Sequence, residues 1–261
     1  MFAAAGNCLV RTLVAPMCVA CREPLVRPLD GLLCPSCWAA MPWLSPPWCA
    51  RCGDLLASDL TTLCSRCAAS PPAFTVARSA GRYEGPLREL IQALKYDRRR
   101  AVARLLANLM TQAGADLLAD ADAVVPVPLH HWRAIHRGFN QADDLAGRLG
   151  RPVWRVLART RAGPPQSTLA ADKRRQIAGA FVTGRPYALR PSLAAARRAI
   201  SGQVLVLVDD VMTTGATLNA CSQALLEAGA ADVRALTAAR AVAGRPLPQR
   251  PRPPRATASR R

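Results

Sequence analysis

The chain has 261 residues, 51% of them hydrophobic, and a formal net charge of +18 at pH 7. This length allows one α/β domain and a smaller module. No run of 18 apolar residues occurs, so we expect no membrane-spanning helix. The positive charge suits a polyanionic partner such as nucleic acid, or an anionic substrate. However, lysine occurs only at Lys95 and Lys173 while arginine and alanine are abundant, so a coding bias explains the charge equally well.

Residues 1–17 are mildly apolar and predict a short N-terminal helix. They lack a basic start, and Asn7 and Arg11 interrupt the apolar pattern, which argues against a secretory signal. We therefore expect a cytoplasmic protein, in which paired cysteines more often bind metal than form disulfides.

Four Cys-x2-Cys pairs fall within residues 18–70. A two-residue spacer lets both thiolates of a pair bind one ion, and two pairs complete a tetrahedral four-thiolate zinc site. Pairing in chain order predicts two zinc ribbons, with ligands Cys18, Cys21, Cys34 and Cys37 in the first and Cys49, Cys52, Cys64 and Cys67 in the second. Thiolates would fill all four positions on each ion, which predicts structural zinc. Interleaved pairing, four disulfides and an iron–sulfur cluster are the alternatives.

The ribbon segment also contains three tryptophans, Trp38, Trp43 and Trp48. They either pack the small ribbon core, which is the interpretation we favour, or stack on bases of a single strand. The remaining cysteines, Cys8 and Cys221, have no partner at ligand spacing, and we expect Cys221 to lie in the core.

The stretch after the ribbons contains two helical patterns and one short strand. Pro71-Pro72 is expected to form the linker. Apolar residues at helical spacing predict one helix within residues 83–96 and another through residues 102–109. Residues 123–129 predict a buried strand that prolines stop. The loop 130–141 follows, and its three histidines are too irregularly spaced for a metal site.

The most informative segment is 205–217, where four apolar residues run into two acids and then into a loop of small residues. The apolar run predicts a strand buried on both faces of a parallel sheet, with the acids at the carboxyl end, where α/β sheets bind ligands. Two adjacent carboxylates suit the hydroxyls of a diol, and the loop suits a phosphate at the start of a helix. That helix is expected to run through residues 218–228 and to end at Gly229.

The segment resembles the phosphoribosyl-pyrophosphate motif of type I phosphoribosyltransferases over its whole length. The resemblance implies that Asp209 and Asp210 hold the ribose 2- and 3-hydroxyls. The residues that it implies around the 5-phosphate are Thr213, Thr214, Gly215, Ala216 and Thr217.

Three other stretches complete the chain. Residues 190–201 predict a surface helix or loop, and residues 232–240 predict the next strand. The tail, 244–261, is rich in proline and arginine and is expected to be disordered.

Taken together, the motifs resemble the ComF family of amidophosphoribosyltransferase-like proteins, by Pro-Val-Pro-Leu at 126–129, Arg-Gly-Phe-Asn-Gln-Ala at 137–142 and Val-Asp-Asp-Val-x-Thr-Thr-Gly-Ala-Thr at 208–217. The match runs from about Cys18 to Arg240. It implies a double zinc ribbon at 18–70 and, at 71–243, an α/β domain whose parallel sheet is flanked by helices. It also implies binding of phosphoribosyl pyrophosphate with Mg²⁺ and a link to natural transformation.

The resemblance further implies roles for two loops. Arg133 and Arg137 would face the pyrophosphate, whose oxygens suit arginine forks. Asn140 and Gln141 match the same loop, where the alternative is helix capping and loop-fixing hydrogen bonds. The basic stretch Lys173–Arg175 lies where type I enzymes have a mobile hood that closes over pyrophosphate, with a solvated loop as the alternative.

Two functions follow from the resemblance. The first is an enzyme that displaces pyrophosphate from C1 of phosphoribosyl pyrophosphate, although the sequence identifies neither a general base nor the acceptor. The second is a non-catalytic competence protein that binds single-stranded DNA and uses the phosphoribosyl site as a ligand sensor. Single-stranded DNA and proteins of DNA uptake or recombination are the expected partners.

Overall fold

The computed structural model describes residues 7, 15–96, 100–129, 139–159, 181–183 and 193–241. The predicted tail lies outside this part of the chain, as does most of the predicted N-terminal helix. Loop residues Arg133 and Arg137, the basic stretch 173–175 and Cys8 also lie outside it.

Helices and short strands alternate through the described residues. The helices are α1 (Pro35–Ala39), α2 (Ser65–Ala69), α3 (Gly85–Tyr96), α4 (Arg100–Ala113), α5 (Ala115–Ala119), α6 (Gln141–Ala146), α7 (Leu193–Ile200) and α8 (Ala216–Glu227). The strands are β1 (Ala77–Arg82), β2 (Ala123–Pro126), β3 (Leu157–Arg159), β4 (Phe181–Thr183), β5 (Val204–Met212) and β6 (Asp232–Arg240).

Four of these strands form a parallel sheet in the order β1-β6-β5-β2. The apolar run at the start of β5 explains its central place, because residues Leu205 to Val208 are completely buried and both faces of a parallel strand are covered by helices. A separate two-stranded antiparallel sheet pairs β3 with β4.

Each face of the sheet has its own apolar core. One contains the inward side chains of α3 and α4, such as Leu90 and Leu106, packed on Val206 and Val208 of β5. The other contains Leu205 and Leu207 together with α8, and it also includes three cysteines of the second predicted ribbon. The structure thus confirms the predicted fold class, a parallel sheet flanked by helices.

Most predicted elements occur close to their expected bounds. The two helices expected within 83–96 and around 102–109 are α3 and α4, and the strand expected at 232–240 is β6. The helix after the key segment ends as predicted, because Gly229 follows it with φ +102°. Cys221 is completely buried, which confirms it as a core residue.

One strand of the sheet was not predicted. β1 reads Ala-Arg-Ser-Ala-Gly-Arg, a pattern too polar to indicate a strand, yet it pairs along β6 from Ala77 to Arg82. The segment before it is anchored as well, since the Ala73 N–H donates to Asn219 Oδ1 of α8 at 2.6 Å. The stretch after Pro71-Pro72 is therefore part of the sheet domain.

No helix within the described residues is long and apolar enough to cross a membrane.

Candidate functional site

The two acids of the key segment lie just beyond the point where β2 stops pairing with β5. The last matched pair joins Pro126 to Val208, whereas β6 follows β5 as far as Met212. Asp209 and Asp210 therefore occupy a stretch of β5 whose β2-side edge has no paired strand among the described residues. This is the carboxyl end of the sheet, where α/β folds bind ligands.

The two carboxyls point to opposite faces of the sheet, as side chains of consecutive strand residues do. Asp210 points toward α3, where its Oδ2 lies 3.0 Å from the Lys95 Nζ. Asp209 points toward α8 and lies near Cys221 of that helix. Burial is the main cause that raises the pKa of the Cys221 thiol, and the charge of Asp209 raises it further. A diol that binds both carboxylates would therefore lie across the edge of β5 that no described strand pairs there.

Lys95 is a site residue that sequence reasoning missed. Its side chain is 16% exposed, and its Nζ also lies 5.9 Å from the centre of the Tyr83 ring. The pairing joins residues far apart in the sequence, so no local pattern could have shown it. The ion pair with Asp210 brings a cation to the carboxyl end of the sheet.

The environment of Asp209 disfavours its charge. Burial and the neighbouring charge of Asp210 raise the pKa of Asp209 to about 7, against the lowering effects of the Asp210 N–H and of Lys95. That N–H donates to Asp209 Oδ1 at 2.8 Å. Near neutral pH this carboxyl therefore has both forms available, and hydroxyl donors from a ligand would favour the ionised one.

The loop between β5 and α8 has the geometry of an anion cradle. Gly215 is the N-cap of α8 and has φ +80°, a conformation that L side chains rarely adopt. The Thr214 Oγ1 accepts a hydrogen bond from the Ala216 N–H at 3.3 Å. Thr213 and Thr214 are exposed. The positive end of the α8 dipole and the N–H groups of its first turn can thus face an anion.

The loop rests on a packed floor. A Cβ atom on Gly215 would lie 2.7 Å from the Met212 Cε and 3.9 Å from the Phe74 ring. Both Met212 and Phe74 are buried. Because these two side chains fill the space below the loop, they fix the height at which its N–H groups are presented.

Asn140 and Gln141, the loop residues near β2, differ in their contacts. Asn140 is the N-cap of α6: its Oδ1 accepts from the Ala142 N–H at 3.2 Å and its Nδ2 donates to the Val127 carbonyl at 3.1 Å. This is the helix-capping alternative. Gln141 is 1% exposed, and neither polar atom of its side chain has a hydrogen-bond partner among the residues that the structure describes.

The eight paired cysteines form two separate clusters in chain order. In each cluster, the four Sγ atoms lie within 4.8 Å of one another. The Cys21 and Cys34 Sγ atoms are 3.7 Å apart, as are those of Cys52 and Cys64. A zinc ion with Zn–S bonds of about 2.3 Å requires S–S distances of roughly 3.8 Å, so both clusters fit tetrahedral zinc, and interleaved pairing is excluded by this geometry.

The thiols of each cluster differ in acidity. Hydrogen bonding from Ser36 is the main cause that lowers the pKa of Cys34 to about 6. Burial opposes ionisation at Cys49, but backbone N–H groups, led by that of Cys52, lower its pKa to about 6. Burial raises the pKa of Cys37 and Cys67. Four thiolates this close need a cation to ionise together, which a divalent metal provides.

The tryptophans of the ribbons are only partly packed. Trp38 and Trp43 contact each other in a T-shaped arrangement, with ring centres 5.8 Å apart, yet they are 45% and 43% exposed. Trp48 lies below the Arg78 guanidinium, 5.9 Å from the ring centre. Packing thus accounts for the contact between Trp38 and Trp43, but both rings remain partly exposed to solvent.

Comparisons with known proteins agree with this architecture. A double zinc ribbon domain model matches residues 9–68, and a phosphoribosyl transferase domain model matches residues 99–252. Competence protein F of Haemophilus influenzae is 32% identical over 86% of this chain and 96% of its own. The DNA utilization protein YhgH of Escherichia coli K12 is 34% identical, with coverages of 85% and 95%. Competence protein ComFC of Streptococcus pneumoniae is 23% identical, with coverages of 83% and 91%.

A solved structure titled the allosteric regulatory enzyme of purine biosynthesis is more distant, at 22% identity, a TM-score of 0.31, and coverage of 52% of this chain and 26% of that chain. The curated relatives match nearly end to end, and the two domain models follow each other in the same order as the cysteine clusters and the sheet. The chain therefore belongs to the ComF family, in which a double zinc ribbon precedes a phosphoribosyltransferase domain.

Proposed function

We propose that the chain binds phosphoribosyl pyrophosphate at the carboxyl end of β5 and transfers its phosphoribosyl group to an acceptor. The observation that supports this most is the sequence of groups along one short segment: two carboxyls at a free strand edge, followed by an anion cradle at the start of α8. Asp209 and Asp210 would accept hydrogen bonds from the ribose hydroxyls. Thr213–Thr217 would hold the 5-phosphate.

The reaction is a displacement at C1 of the ribose. The bond from C1 to the pyrophosphate oxygen breaks, its electron pair leaves with pyrophosphate, and a lone pair of the acceptor forms the new bond as the acceptor loses a proton to solvent. Positive charge develops on the ribose during this step, and the carboxylates of Asp209 and Asp210 can stabilise it. Fixing both ends of the ribose phosphate also holds C1 in place for attack.

Mg²⁺ would supply charge neutralisation on the pyrophosphate. The described part of the site offers two carboxyls, one of them paired with Lys95 and the other with a pKa raised to about 7. Two carboxyls in this environment suit the hydroxyl groups of a ligand better than a bare cation. We therefore propose that Mg²⁺ arrives bound to the substrate. Arg133 and Arg137 are proposed to face the same pyrophosphate.

The two cysteine clusters are proposed to bind structural zinc through all eight paired cysteines. The proposed domain bounds are 18–70 for the ribbons and 71–243 for the transferase domain. Since the named relatives are competence and DNA utilization proteins, we place the function in DNA uptake and transformation.

Binding of the substrate can be tested by isothermal titration with phosphoribosyl pyrophosphate and Mg²⁺. Changing Asp209 and Asp210 together to asparagine should weaken affinity at least a hundredfold, since hydrogen bonds to charged groups contribute about 1.5–3 kcal/mol each. Asp122→Asn is the matched control: its Oδ2 accepts from the Val204 N–H at the opposite end of the same strand, 2.8 Å away. Equal effects of the two changes would contradict the assignment.

A second candidate function, binding of single-stranded DNA without catalysis, is favoured by a groove between the ribbons and the sheet. The groove has a volume of about 410 Å³, and its lining includes Trp43, Trp48, Arg78 and Gln112. The exposed Trp43 ring and the Arg78 guanidinium in one groove suit a stacked base and its phosphate.

The two candidates predict different results. Pyrophosphate release over a panel of acceptors, lost in the double asparagine variant, supports the enzyme. Salt-sensitive DNA binding that survives this variant, weakens in Trp43→Ala and occurs without pyrophosphate release supports the second candidate.

A further inference from the structure

Arg240 is a buried cation outside the candidate site. It is the last residue of β6, its side chain is 1% exposed, and it heads the fully buried side chains by volume. Burying a guanidinium is costly unless its N–H groups are paired. Its partners therefore show which parts of the molecule it holds together.

One set of partners belongs to the second cysteine cluster. The Arg240 Nε donates to Asp54 Oδ1 at 3.2 Å, and Nη2 lies 3.1 Å from Asp54 Oδ2. Nη1 donates to the Cys52 carbonyl at 2.7 Å, and Nη2 lies 3.5 Å from the Cys52 Sγ. Asp54 is itself held by Arg66 at 2.9 Å. The guanidinium thus contacts a cluster thiol, the carbonyl of that residue and the carboxylate that follows.

The other partner belongs to the floor of the phosphate loop. Nη1 of Arg240 also lies 3.0 Å from the Met212 Sδ, and the two residues are paired across β5 and β6. The methyl end of the same Met212 side chain fills the space below Gly215. One side chain therefore connects a cluster cysteine to the residue on which the loop rests.

We propose that Arg240 is a positioning residue that couples the phosphate loop to the second cluster, Cys49/Cys52/Cys64/Cys67, so that affinity for a ligand phosphate depends on the metal held there and not on the metal of the first cluster. This inference rests on the proposed function for its ligand, phosphoribosyl pyrophosphate. The coupling itself concerns only the loop and the cluster.

The physical basis is the position of the cluster residues. Cys52 would be held in place by a metal bound to the cluster, and with it the carbonyl and the Asp54 carboxylate that pair with Arg240. In the metal-free protein these partners would lose their fixed geometry, and the buried guanidinium would then move toward other acceptors or water. Met212 would move with it, and the N–H groups of the loop would lose their common orientation.

The first cluster lacks such a connection among the described contacts. The polar contacts of its thiols lie within the ribbon: the Cys34 Sγ lies 3.1 Å from the Ser36 Oγ, and the Cys34 N–H donates to the Cys18 Sγ at 3.4 Å. Ser36→Ala thus removes a single thiol contact at the first cluster. This makes it a matched control for Arg240→Lys, which keeps the positive charge at the second cluster but loses the planar set of N–H donors of the guanidinium.

The test follows zinc release to a colorimetric chelator, amide hydrogen exchange and titration with phosphoribosyl pyrophosphate and Mg²⁺ in the full chain. In Arg240→Lys we expect one of the two zinc ions to leave faster, the Thr213–Ala216 amides to exchange at least tenfold faster, and affinity to fall about tenfold. The β2 amides should exchange as in the wild type. Ser36→Ala should speed release of the other zinc only.

Two results would overturn the proposal: loop amides and affinity unchanged in Arg240→Lys despite faster zinc loss, or equal loss of affinity in Ser36→Ala. If the wild type does not bind phosphoribosyl pyrophosphate, the proposed function fails, while loop exchange and zinc release still decide the coupling. If Arg240→Lys does not fold, exchange in the wild type before and after chelation decides it. Loop protection should persist when the first cluster alone has lost zinc and disappear when the second has.

Discussion

The two cysteine clusters have the same ligand spacing and different relations to the rest of the molecule. In the first, Cys21 is exposed, and the ribbon touches the sheet domain through apolar residues such as Val19 and Met41. In the second, Cys49, Cys52 and Cys67 are buried within one of the two apolar cores of the sheet domain. The first cluster is thus attached to that domain, whereas the second is part of its interior.

This difference shows that ligand spacing predicts the metal but not its structural role. The Cys-x2-Cys pairs of the first cluster cross-link a small ribbon. The identically spaced pairs of the second cluster also contact Arg240, which contacts Met212 below the candidate phosphate loop.

Backbone hydrogen bonds to β1 do not distinguish the two ribbons, since the Arg82 N–H donates to the Pro42 carbonyl at 2.8 Å and the Ala77 N–H donates to the Arg51 carbonyl at 2.7 Å. The difference lies in the burial of the cysteines and in the contacts of Arg240. We therefore expect unequal consequences when equivalent positions of the two ribbons are changed.

The largest expected contrast is between Cys52→Ser and Cys21→Ser. Loss of a ligand from the buried cluster leaves Arg240 without fixed partners, and we expect a cost of about 3–5 kcal/mol in the free energy of unfolding. Cys21→Ser should cost less, because that thiol is exposed and its loss leaves the sheet core intact. Denaturant unfolding measures both, and equal costs would contradict the comparison.

A second contrast uses glycines at left-handed positions of each ribbon. Gly53 has φ +69°, and a Cβ there would lie 2.8 Å from the Ala77 carbonyl, whereas Gly31 has φ +153° and no atom within 4 Å of its Cβ position. Both changes to alanine strain the backbone, but only Gly53→Ala pushes the ribbon off β1. We expect Gly53→Ala to cost about 1–3 kcal/mol and to weaken substrate binding, while Gly31→Ala leaves affinity unchanged.

We expect the pH dependence of substrate binding to come from Asp209 and to be independent of the first ribbon. The ionised Asp209 accepts hydroxyl donors, and its pKa is raised to about 7 in the free protein. Affinity should therefore fall about tenfold from pH 8 to pH 6, as protonation competes with the ligand. Cys21→Ser should show the same profile in calorimetric titrations.

Asp209→Asn is the control for this pH profile, because its remaining pH dependence reports the phosphates of the ligand itself. A tenfold fall that persists in Asp209→Asn would remove this carboxyl as the cause.

The smallest expected effect is that of Trp38→Ala. The indole is 45% exposed and contacts Trp43 by its edge, so its loss should cost about 1 kcal/mol or less. Affinity for phosphoribosyl pyrophosphate should not change, and thermal unfolding with calorimetry checks both statements. A loss of substrate affinity would show that the first ribbon is connected to the site after all.

Sequence reasoning succeeded where the information is local. The apolar run before Asp209, the glycine at the start of α8 and the spacing of the cysteine pairs each specify a structure by their neighbours in the chain. The strand is longer than its apolar run, because β6 pairs with β5 as far as Met212.

Sequence reasoning failed where the structural role of a polar residue depends on a partner far away in the sequence. β1 is a strand because β6 lies beside it, not because of its own pattern. Lys95 becomes a site residue through its pairing with Asp210, and Arg240 is buried because Asp54, 186 residues away in the sequence, meets it. An arginine at the end of an apolar strand otherwise predicts a solvated side chain.

The most direct test of the account is stepwise removal of zinc with affinity measured at each step. Native mass spectrometry counts the bound ions, and alkylation of freed cysteines identifies the cluster that has lost its ion. We predict that affinity for phosphoribosyl pyrophosphate with Mg²⁺ is retained when the cysteines of the first cluster, Cys18, Cys21, Cys34 and Cys37, become reactive. We predict that this affinity is lost when the cysteines of the second cluster become reactive. Affinity that falls with the first set, or that survives the loss of both ions, would contradict the account.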